Sequence, residues 1–329
     1  MIIDQYFPLY FTVFLASLVF TVILERHLIP LLSNRASQPI YSEGPSWHSK
    51  KSGTPTMGGI GFVIASFISL TLASLFLLNA KKETEAISIF LSLAFACANA
   101  LVGIIDDITK IKHQRNKGLT AGQKLLFQIV LCAIFLFLRH SIFVHSTAVK
   151  LVFGEIDLGP LYYPVSLLAL LGTVNCANLT DGIDGLASSV ACTVGVILLF
   201  ISSLIFNDVA IISASLIGIT IGFLFFNKYP AKIFMGDTGS LFLGAMVASC
   251  ALSMNNPLIL IFIGGVYLIE GGSVILQVVY FKATNKRLFK MAPIHHHLEK
   301  CGMTEKNICL LAILVTLLLS IPALTIFGL

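Results

Sequence analysis

The residues whose types and spacing most clearly indicate chemical function are five aspartates, which lie in three short motifs. They are Asp106 and Asp107 in GIIDDITK, Asp181 and Asp184 in LTDGIDGLA, and Asp237 in FMGDTGS. Carboxylates that converge at one surface repel one another unless a cation or basic side chains neutralise them. Oxygen ligands without Cys or His spacing suit Mg²⁺ or Mn²⁺, and Mg²⁺ commonly combines one or two carboxylates with substrate phosphates. The motifs therefore indicate metal-assisted chemistry on a phosphate.

A second motif, HSKKSGTPTMGG at residues 48–59, has the composition of an anion-binding turn. Its Thr-Pro-Thr stretch favours the start of a helix, and the glycine pair that follows allows a ligand to approach the backbone closely. Lys51 adds a point charge that can bind phosphate. The turn alone is a weak signal, because such a stretch is more often a tight turn than a phosphate-binding loop.

A third motif, APIHHHLEKCG, contains three successive histidines, His295, His296 and His297. Neighbouring side chains on a helix point about 100° apart, so three consecutive imidazoles cannot all bind one ion. They are better suited to donate hydrogen bonds to several oxygens of an extended anionic ligand. The internal position of the three histidines argues strongly against an affinity tag.

Glu270, which stands beside two glycines in a predicted span, is either a functional residue or a hinge residue, and the hinge is favoured.

These motifs lie between long apolar segments. The chain has 329 residues, of which 57% are hydrophobic and 11% charged, and its mean hydropathy is +0.93, which excludes a water-soluble protein. Apolar runs of about 17–25 residues predict about ten membrane-spanning helices in one domain, residues 1–329. The predicted spans are 9–32, 57–78, 87–105, 124–138, 161–176, 186–206, 209–226, 237–254, 257–281 and 308–328.

The basic residues divide unevenly between the two sets of loops that these spans define. One set contains only Lys81, Lys82, Arg139 and Lys150, whereas most of the other Lys and Arg residues lie in the opposite set together with all five aspartates. The positive-inside rule predicts that the aspartates and histidines face the cytoplasm and that both termini are extracytoplasmic. Alternation of side chains around residues 149–156 predicts an extracytoplasmic hairpin.

The motifs closely resemble those of the phospho-N-acetylmuramoyl-pentapeptide transferases, a family of polyprenyl-phosphate sugar-1-phosphate transferases. The segments that carry the resemblance are GTPTMGG, the DDxxK of Asp106 to Lys110, RNKGLT, NxxNLTDGxDGLA, FMGDTGS and PxHHHLE. They are distributed over the whole chain. Ile183 stands where the family often has Leu, and this conservative exchange puts little in doubt.

The resemblance implies transfer of phospho-N-acetylmuramoyl-pentapeptide from UDP-N-acetylmuramoyl-pentapeptide to undecaprenyl phosphate with Mg²⁺, giving lipid I and UMP. The catalytic residues that it implies are Asp106, Asp107, Asp237 and His295, with Asp237 and Asp107 as metal ligands. Lys51 and Phe234 match positions near the uridine. The substrate-binding residues that it implies are Lys51, Thr56, Lys110, Lys117, Asn175, Asn178, Asp181, Gly182, Asp184, Phe234, His296 and His297. The family also implies a multi-pass homodimer in the bacterial cell membrane, with no nucleic-acid partner.

Two other functions remain open at this stage. A sister transferase that uses UDP-N-acetylglucosamine or a similar sugar would share the aspartate motifs but usually differs in the histidine loop. An ion-coupled transporter would place acids near the membrane midplane and would repeat its broken helices in two halves. Here the acids lie at the ends of spans and no internal repeat is visible, so the transferase is favoured.

Overall fold

The computed structural model describes residues 6–33, 51, 53–113, 118–143, 146–203 and 205–329. These residues form an α-helical bundle with one small β-hairpin. The helices are α1 (Phe7–Ser33), α2 (Gly59–Asn79), α3 (Glu83–His113), α4 (Ala121–Ile142), α5 (Tyr162–Thr180), α6 (Leu186–Ser202), α7 (Asn207–Asn227), α8 (Gly236–Ser253), α9 (Leu260–Ile263), α10 (Gly265–Thr284), α11 (Ile294–Lys300), α12 (Glu305–Leu319) and α13 (Ile321–Ile326).

The helices confirm an all-α polytopic membrane protein. Each of the ten predicted apolar segments contains a helix, and eight helical segments within the described residues are long and apolar enough to cross a membrane. The other two predicted spans coincide with α6, which is apolar but has 17 residues, and with the 18-residue α8. Two predicted spans are interrupted, one at Gly264 between α9 and α10 and the other at Ser320, shortly before Pro322.

The third span is longer than its apolar stretch predicted. The sequence suggested 87–105, with the aspartate pair at its end, whereas α3 continues to His113. Glu83 and Glu85 occupy its first turn, where negative charge stabilises a helix N-terminus. Asp106 and Asp107 consequently lie on helical backbone with more than one further turn beyond them, which gives their side chains fixed directions.

Helix α8 forms the centre of the bundle, since every residue from Thr238 to Ser253 is buried. Small residues allow α2 and α3 to approach its first turn closely. A Cβ atom on Gly59 would lie 2.4 Å from the Cα of Gly239, and one on Gly103 would lie 2.4 Å from the carbonyl oxygen of Asp237. These contacts place α3 and its aspartates directly against the beginning of α8.

The predicted hairpin is confirmed and lies at the other end of α8. Strands β1 (Ala148–Leu151) and β2 (Gly154–Asp157) pair antiparallel, with Val149 opposite Ile156. The side-chain amides of Asn255 and Asn256, just beyond α8, donate to carbonyl oxygens of the hairpin segment, each at 2.8 Å. The hairpin and the aspartates are therefore separated by the length of α8.

Candidate active site

Asp107 joins α3 to the N-terminus of α8. Its Oδ1 accepts a hydrogen bond from the backbone N of Asp237 at 3.1 Å, and its Oδ2 accepts from the N and Oγ1 of Thr238 at 3.0 and 2.7 Å. The side chain is fully buried. A carboxylate at this position satisfies backbone N–H groups that the helix leaves free and interacts favourably with the helix dipole. Asp107 therefore fixes the position of Asp237 relative to α3.

Asp106, the other member of the pair, is held from two sides. Its Oδ1 accepts from the backbone N of Leu119 at 2.7 Å, and its Oδ2 lies 2.6 Å from the Nζ of Lys110, one helical turn away. Gly118 makes this contact sterically possible, because a Cβ there would lie 2.4 Å from Oδ1. The glycine of the RNKGLT motif thus allows the loop to approach the carboxylate.

Asp237, in the first turn of α8, contacts three side chains from three other helices. Its Oδ1 accepts from the Nδ2 of Asn178 at 3.0 Å. Its Oδ2 accepts from the Nζ of Lys110 at 3.0 Å and from the Nζ of Lys124. Asn178 and Lys110 were both predicted to line the site, and the structure brings them together here. Asp237 retains 17% side-chain exposure, against 0% for Asp107, so it is the carboxylate of this pair most open to a ligand.

Lys124 was not among the predicted site residues. It lies in the first turn of α4, behind the capping box formed by Thr120 and Gln123. Its ammonium group reaches Asp237 and lies 4.0 Å from the Oδ2 of Asp106. The capping sequence predicts where α4 starts, but the direction of the lysine depends on how α4 packs against α3. Sequence reasoning therefore counted this residue only as a loop charge.

Asp106, Asp107 and Asp237 each offer one oxygen within 4.8 Å of the others. This donor set consists of oxygen atoms, which are the ligands that Mg²⁺ prefers. The three carboxylates and the ammonium groups of Lys110 and Lys124 leave a formal charge of −1 in the cluster. The residues therefore fit a hard divalent cation.

A second ionic cluster holds Lys51. Its Nζ lies 2.7 Å from the Oδ1 of Asp184 and 2.7 Å from the Oε2 of Glu305. Burial by itself lowers the pKa of Lys51, but hydrogen bonds and charge attraction from the two carboxylates outweigh it and raise the pKa above its usual value. The sequence predicted that Lys51 would be available to phosphate, whereas here two carboxylates surround its charge. Glu305 was not predicted.

The backbone of Phe234 pairs with the Gly-rich turn. Its N donates to the carbonyl oxygen of Pro55 at 2.8 Å, and its carbonyl oxygen accepts from the N of Gly58 at 2.9 Å. The Oγ1 of Thr56 is buried without a hydrogen-bond partner in the described residues. It lies in the region of Asp107, since a Cβ on Gly236 would contact both side chains. The two predicted residues, Thr56 and Phe234, are therefore adjacent to the aspartate cluster.

The three histidines point to three different partners, as the helical spacing predicted. The Nδ1 of His295 lies 2.9 Å from the Oε2 of Glu270, and the Nδ1 of His296 lies 2.7 Å from the Oε2 of Glu299. The Nδ1 of His297 accepts from the backbone N of Lys290 at 3.1 Å.

His295 lies against the aspartate loop. It is fully buried, and its Nε2 has no hydrogen-bond partner in the described part of the chain. A Cβ on Gly182 would lie 2.1 Å from this nitrogen. The contact places His295 against the loop that carries Asp181 and Asp184, and Glu270 is the side chain that orients its imidazole.

Asp181 follows directly after α5 within this loop. Loss of hydration, reinforced by the negative charges of Asp237, Asp107 and Asp184, raises the pKa of Asp181 to about 8. Because desolvation disfavours the charged carboxylate, Asp181 holds its proton at neutral pH unless a cation approaches. A cation bound among these carboxylates would lower the pKa of Asp181 again.

One predicted substrate-binding residue, Asn175, makes its hydrogen bonds outside this arrangement. The Nδ2 of Asn175 donates to the Oε1 of Gln128 and to the carbonyl oxygen of Leu171, each at 2.9 Å. Asn175 therefore links α5 to α4, one turn away from Asn178. Lys117 lies outside the described residues.

Comparisons with known proteins show which family the chain resembles. The family model for glycosyl transferase family 4 matches residues 89–255. A phospho-N-acetylmuramoyl-pentapeptide-transferase from Clostridium acetobutylicum is 40% identical over 94% of this chain and 96% of its own length. The chain belongs to the phospho-N-acetylmuramoyl-pentapeptide transferase family. Relatives of the same name from Clostridioides difficile (39% identical over 94% of this chain and 95% of theirs) and Halalkalibacterium halodurans (42% over 88% of each) also match.

The match to the phospho-N-acetylmuramoyl-pentapeptide transferases includes both the aspartates and the histidine segment. The glycosyl transferase family 4 region contains all five aspartates but ends before the histidine segment and Glu305. The near full-length relatives extend well beyond it. The aspartate cluster thus lies within the region that the broader family model matches, and the match of the near full-length relatives through the histidine segment favours this transferase family over its sister transferases.

Proposed function

We propose that this chain transfers phospho-N-acetylmuramoyl-pentapeptide from UDP-N-acetylmuramoyl-pentapeptide to undecaprenyl phosphate, giving lipid I and UMP for peptidoglycan synthesis. The observation that carries the proposal is the convergence of Asp106, Asp107 and Asp237 with two lysines at one end of α8. Phosphoryl transfer requires chiefly positioning and electrostatic stabilisation, and such a cluster provides both. The names of the near full-length relatives support this substrate pair.

Asp237 and Asp107 are the proposed Mg²⁺ ligands, with Asp106 within reach of the same position. When bound, Mg²⁺ would neutralise charge on the diphosphate and make the reacting phosphorus more electrophilic. Asn178 orients Asp237, and Asp107 keeps it at the start of α8. Once Asp237 binds a cation, the ammonium groups of Lys110 and Lys124 can donate to phosphate oxygens instead.

The lipid phosphate is the proposed nucleophile. A phosphate monoester has a second pKa of about 6, so undecaprenyl phosphate is mostly dianionic at neutral pH. One of its oxygens forms a bond to the phosphorus that carries the sugar, while the bond from this phosphorus to the bridging oxygen breaks and its electron pair leaves on UMP. Asp106, which Leu119 and Lys110 hold in place, accepts any remaining proton or orients the lipid phosphate. An aspartyl-phosphate intermediate is not needed.

The residues that bind the nucleotide and the sugar are proposed from their positions around the aspartate cluster. Lys51 and Asp184, with the aromatic face of Phe234, form the uridine side, and Asp181 and Gly182 line the path between it and the aspartates. His295, His296 and His297 are proposed to contact the sugar or its diphosphate. Lys117 and Thr56 are proposed as substrate contacts on the grounds of family resemblance.

The proposed topology has ten spans, both termini extracytoplasmic and the active site on the cytoplasmic face of the cell membrane. The eight long apolar helices support the membrane location, and α6 and α8 supply the two further spans. The separation of the hairpin from the aspartates by the length of α8 supports opposite sides for the two features. We further propose that the chain is one domain and forms a homodimer with no nucleic-acid partner, as the resemblance implies.

The decisive experiment uses purified protein with Mg²⁺, undecaprenyl phosphate and UDP-N-acetylmuramoyl-pentapeptide, with mass spectrometry of the lipid product. We expect lipid I and stoichiometric UMP. A parallel reaction with UDP-N-acetylglucosamine tests the sister activity, and product from that sugar alone would replace the proposed function. In lipid-free enzyme, labelled UMP should not exchange into the nucleotide sugar. Exchange that is lost in Asp106→Asn or Asp107→Asn would instead establish a covalent intermediate.

A further inference from the structure

Glu305, the first residue of α12, joins three parts of the chain. Its Oε2 accepts from the Nζ of Lys51 at 2.7 Å and from the backbone N of Asp184 at 2.8 Å. Only 9% of the residue is exposed. The carboxylate therefore bridges the segment before the Gly-rich turn and the loop between α5 and α6, more than one hundred residues apart in sequence.

The contacts of Asp184 show what this bridge holds. Its Oδ1 lies 2.7 Å from Lys51, and its Oδ2 accepts from the backbone N of Ala231 at 2.9 Å. Its carbonyl oxygen accepts from the Sγ of Cys309, one helical turn after Glu305, at 3.4 Å. The backbone of Asp184 is thus held at its N and its O by the beginning of α12.

Glu305 is not needed to cap its own helix. The side chain of Thr304 accepts from the N of Asn307 and forms the N-cap of α12. A carboxylate in the first turn stabilises a helix through the dipole, but this does not require contact with Lys51 or Asp184. The interactions of Glu305 are therefore directed at the loop between α5 and α6.

We infer that Glu305 is a positioning residue, which fixes Lys51 and the 181–184 loop in the arrangement that receives the nucleotide. This inference rests on the proposed function. Without the carboxylate, Lys51 would keep one partner and the N–H of Asp184 would lose its acceptor. Buried charge-assisted hydrogen bonds lost in this way leave groups unpaired. Lys51 and the 181–184 loop could then adopt several arrangements, of which only one would bind the nucleotide.

The location of Glu305 also connects the histidine segment with the loop at residues 181–184. Four residues separate α12 from α11, which carries the three histidines. A single short connection therefore leads from the histidine segment to the residue that holds the nucleotide loop. Because the aspartate cluster uses other helices, Glu305 should affect nucleotide binding without altering the metal or the lipid phosphate.

The test compares Glu305→Ala, Glu305→Gln and the wild type, with Glu83→Gln as a control that removes an equivalent charge at the other end of the bundle. UMP affinity is measured by calorimetry in detergent, and KM is measured for each substrate. We expect Glu305→Ala to weaken UMP binding and raise the nucleotide-sugar KM on the order of tenfold. We expect little change in kcat, in the undecaprenyl phosphate KM or in Mn²⁺ affinity. Glu305→Gln should lie between, because its amide oxygen still accepts from Asp184.

Unchanged UMP affinity in Glu305→Gln and Glu305→Ala would overturn the inference, and so would an equal loss of affinity for both substrates and metal. If Glu305→Ala does not fold, Glu305→Gln decides, because it has nearly the same volume and keeps one acceptor. A wild type that neither binds UMP nor forms lipid product would refute the proposed function itself. A wild type that does both, beside unaffected variants, would refute only the role of Glu305.

Discussion

Replacement of Lys124 by methionine tests whether the lysines and a metal ion compete for Asp237. The Oδ2 of Asp237 accepts hydrogen bonds from Lys110 and Lys124, so a metal ion at this oxygen must displace at least one ammonium group. Methionine has a similar length and no charge. The substitution would change the formal charge of the cluster from −1 to −2 and remove one competitor.

The size of the effect follows from Coulomb's law. A unit charge about 6 Å from a divalent ion is repelled by roughly 1–5 kcal/mol when the effective dielectric constant is between about 80 and 20. Since 1.4 kcal/mol corresponds to about a tenfold change in affinity, Lys124→Met should bind the metal at least about tenfold more tightly. Turnover should nevertheless fall, on the order of tenfold or more, because one cation is lost from the developing phosphate charge.

The assay is a titration with Mn²⁺ followed by electron paramagnetic resonance, in detergent and without substrates. Lys150→Met, which removes an exposed charge in the hairpin at the other end of α8, is the matched control and should leave both metal affinity and turnover unchanged. Tighter metal binding with slower turnover supports the exchange of lysine for metal. Weaker or unchanged metal binding in Lys124→Met would refute it.

Three further predictions concern single residues. Asp237→Asn should reduce turnover by about 100-fold or more at ordinary Mg²⁺ while the protein still extracts as a stable species, because a hard ligand is lost with little change in volume; near wild-type turnover would contradict the metal assignment. Phe234→Ala should weaken UMP binding by about 1–3 kcal/mol, the usual loss of one base-stacking contact, and unchanged UMP affinity with impaired lipid use would exclude that placement. In chelator, Asp181 of the wild type should contribute a loss of thermal stability as the pH rises from about 4 to about 8, since folding raises its pKa from 3.8 to about 8 and the folded state therefore binds the proton more tightly in this range. Asp181→Asn should remove this part of the slope, so equal pH dependence of the melting temperature in both proteins would exclude it.

The amino-acid sequence by itself determined the class of protein and supplied most of the candidate site residues. Long apolar runs predict helices because a spanning segment must satisfy its backbone internally and expose apolar side chains. Charged residues are so scarce in this chain that aspartates at the ends of spans stand out. The strand-like alternation around residues 149–156 likewise predicted the hairpin. These features are local, and a reader of the sequence can recognise them without any knowledge of the packing.

Only the tertiary structure decided which charges meet. Lys51 is shared by Asp184 and Glu305, Lys124 reaches Asp237, and Asn175 turns to α4 although Asn178 turns to the site. Each of these contacts joins residues distant in sequence, and its direction depends on the rotation and close approach of whole helices. No local pattern encodes such rotations, because the small residues that allow two helices to approach closely look the same in the sequence whichever helix packs against them.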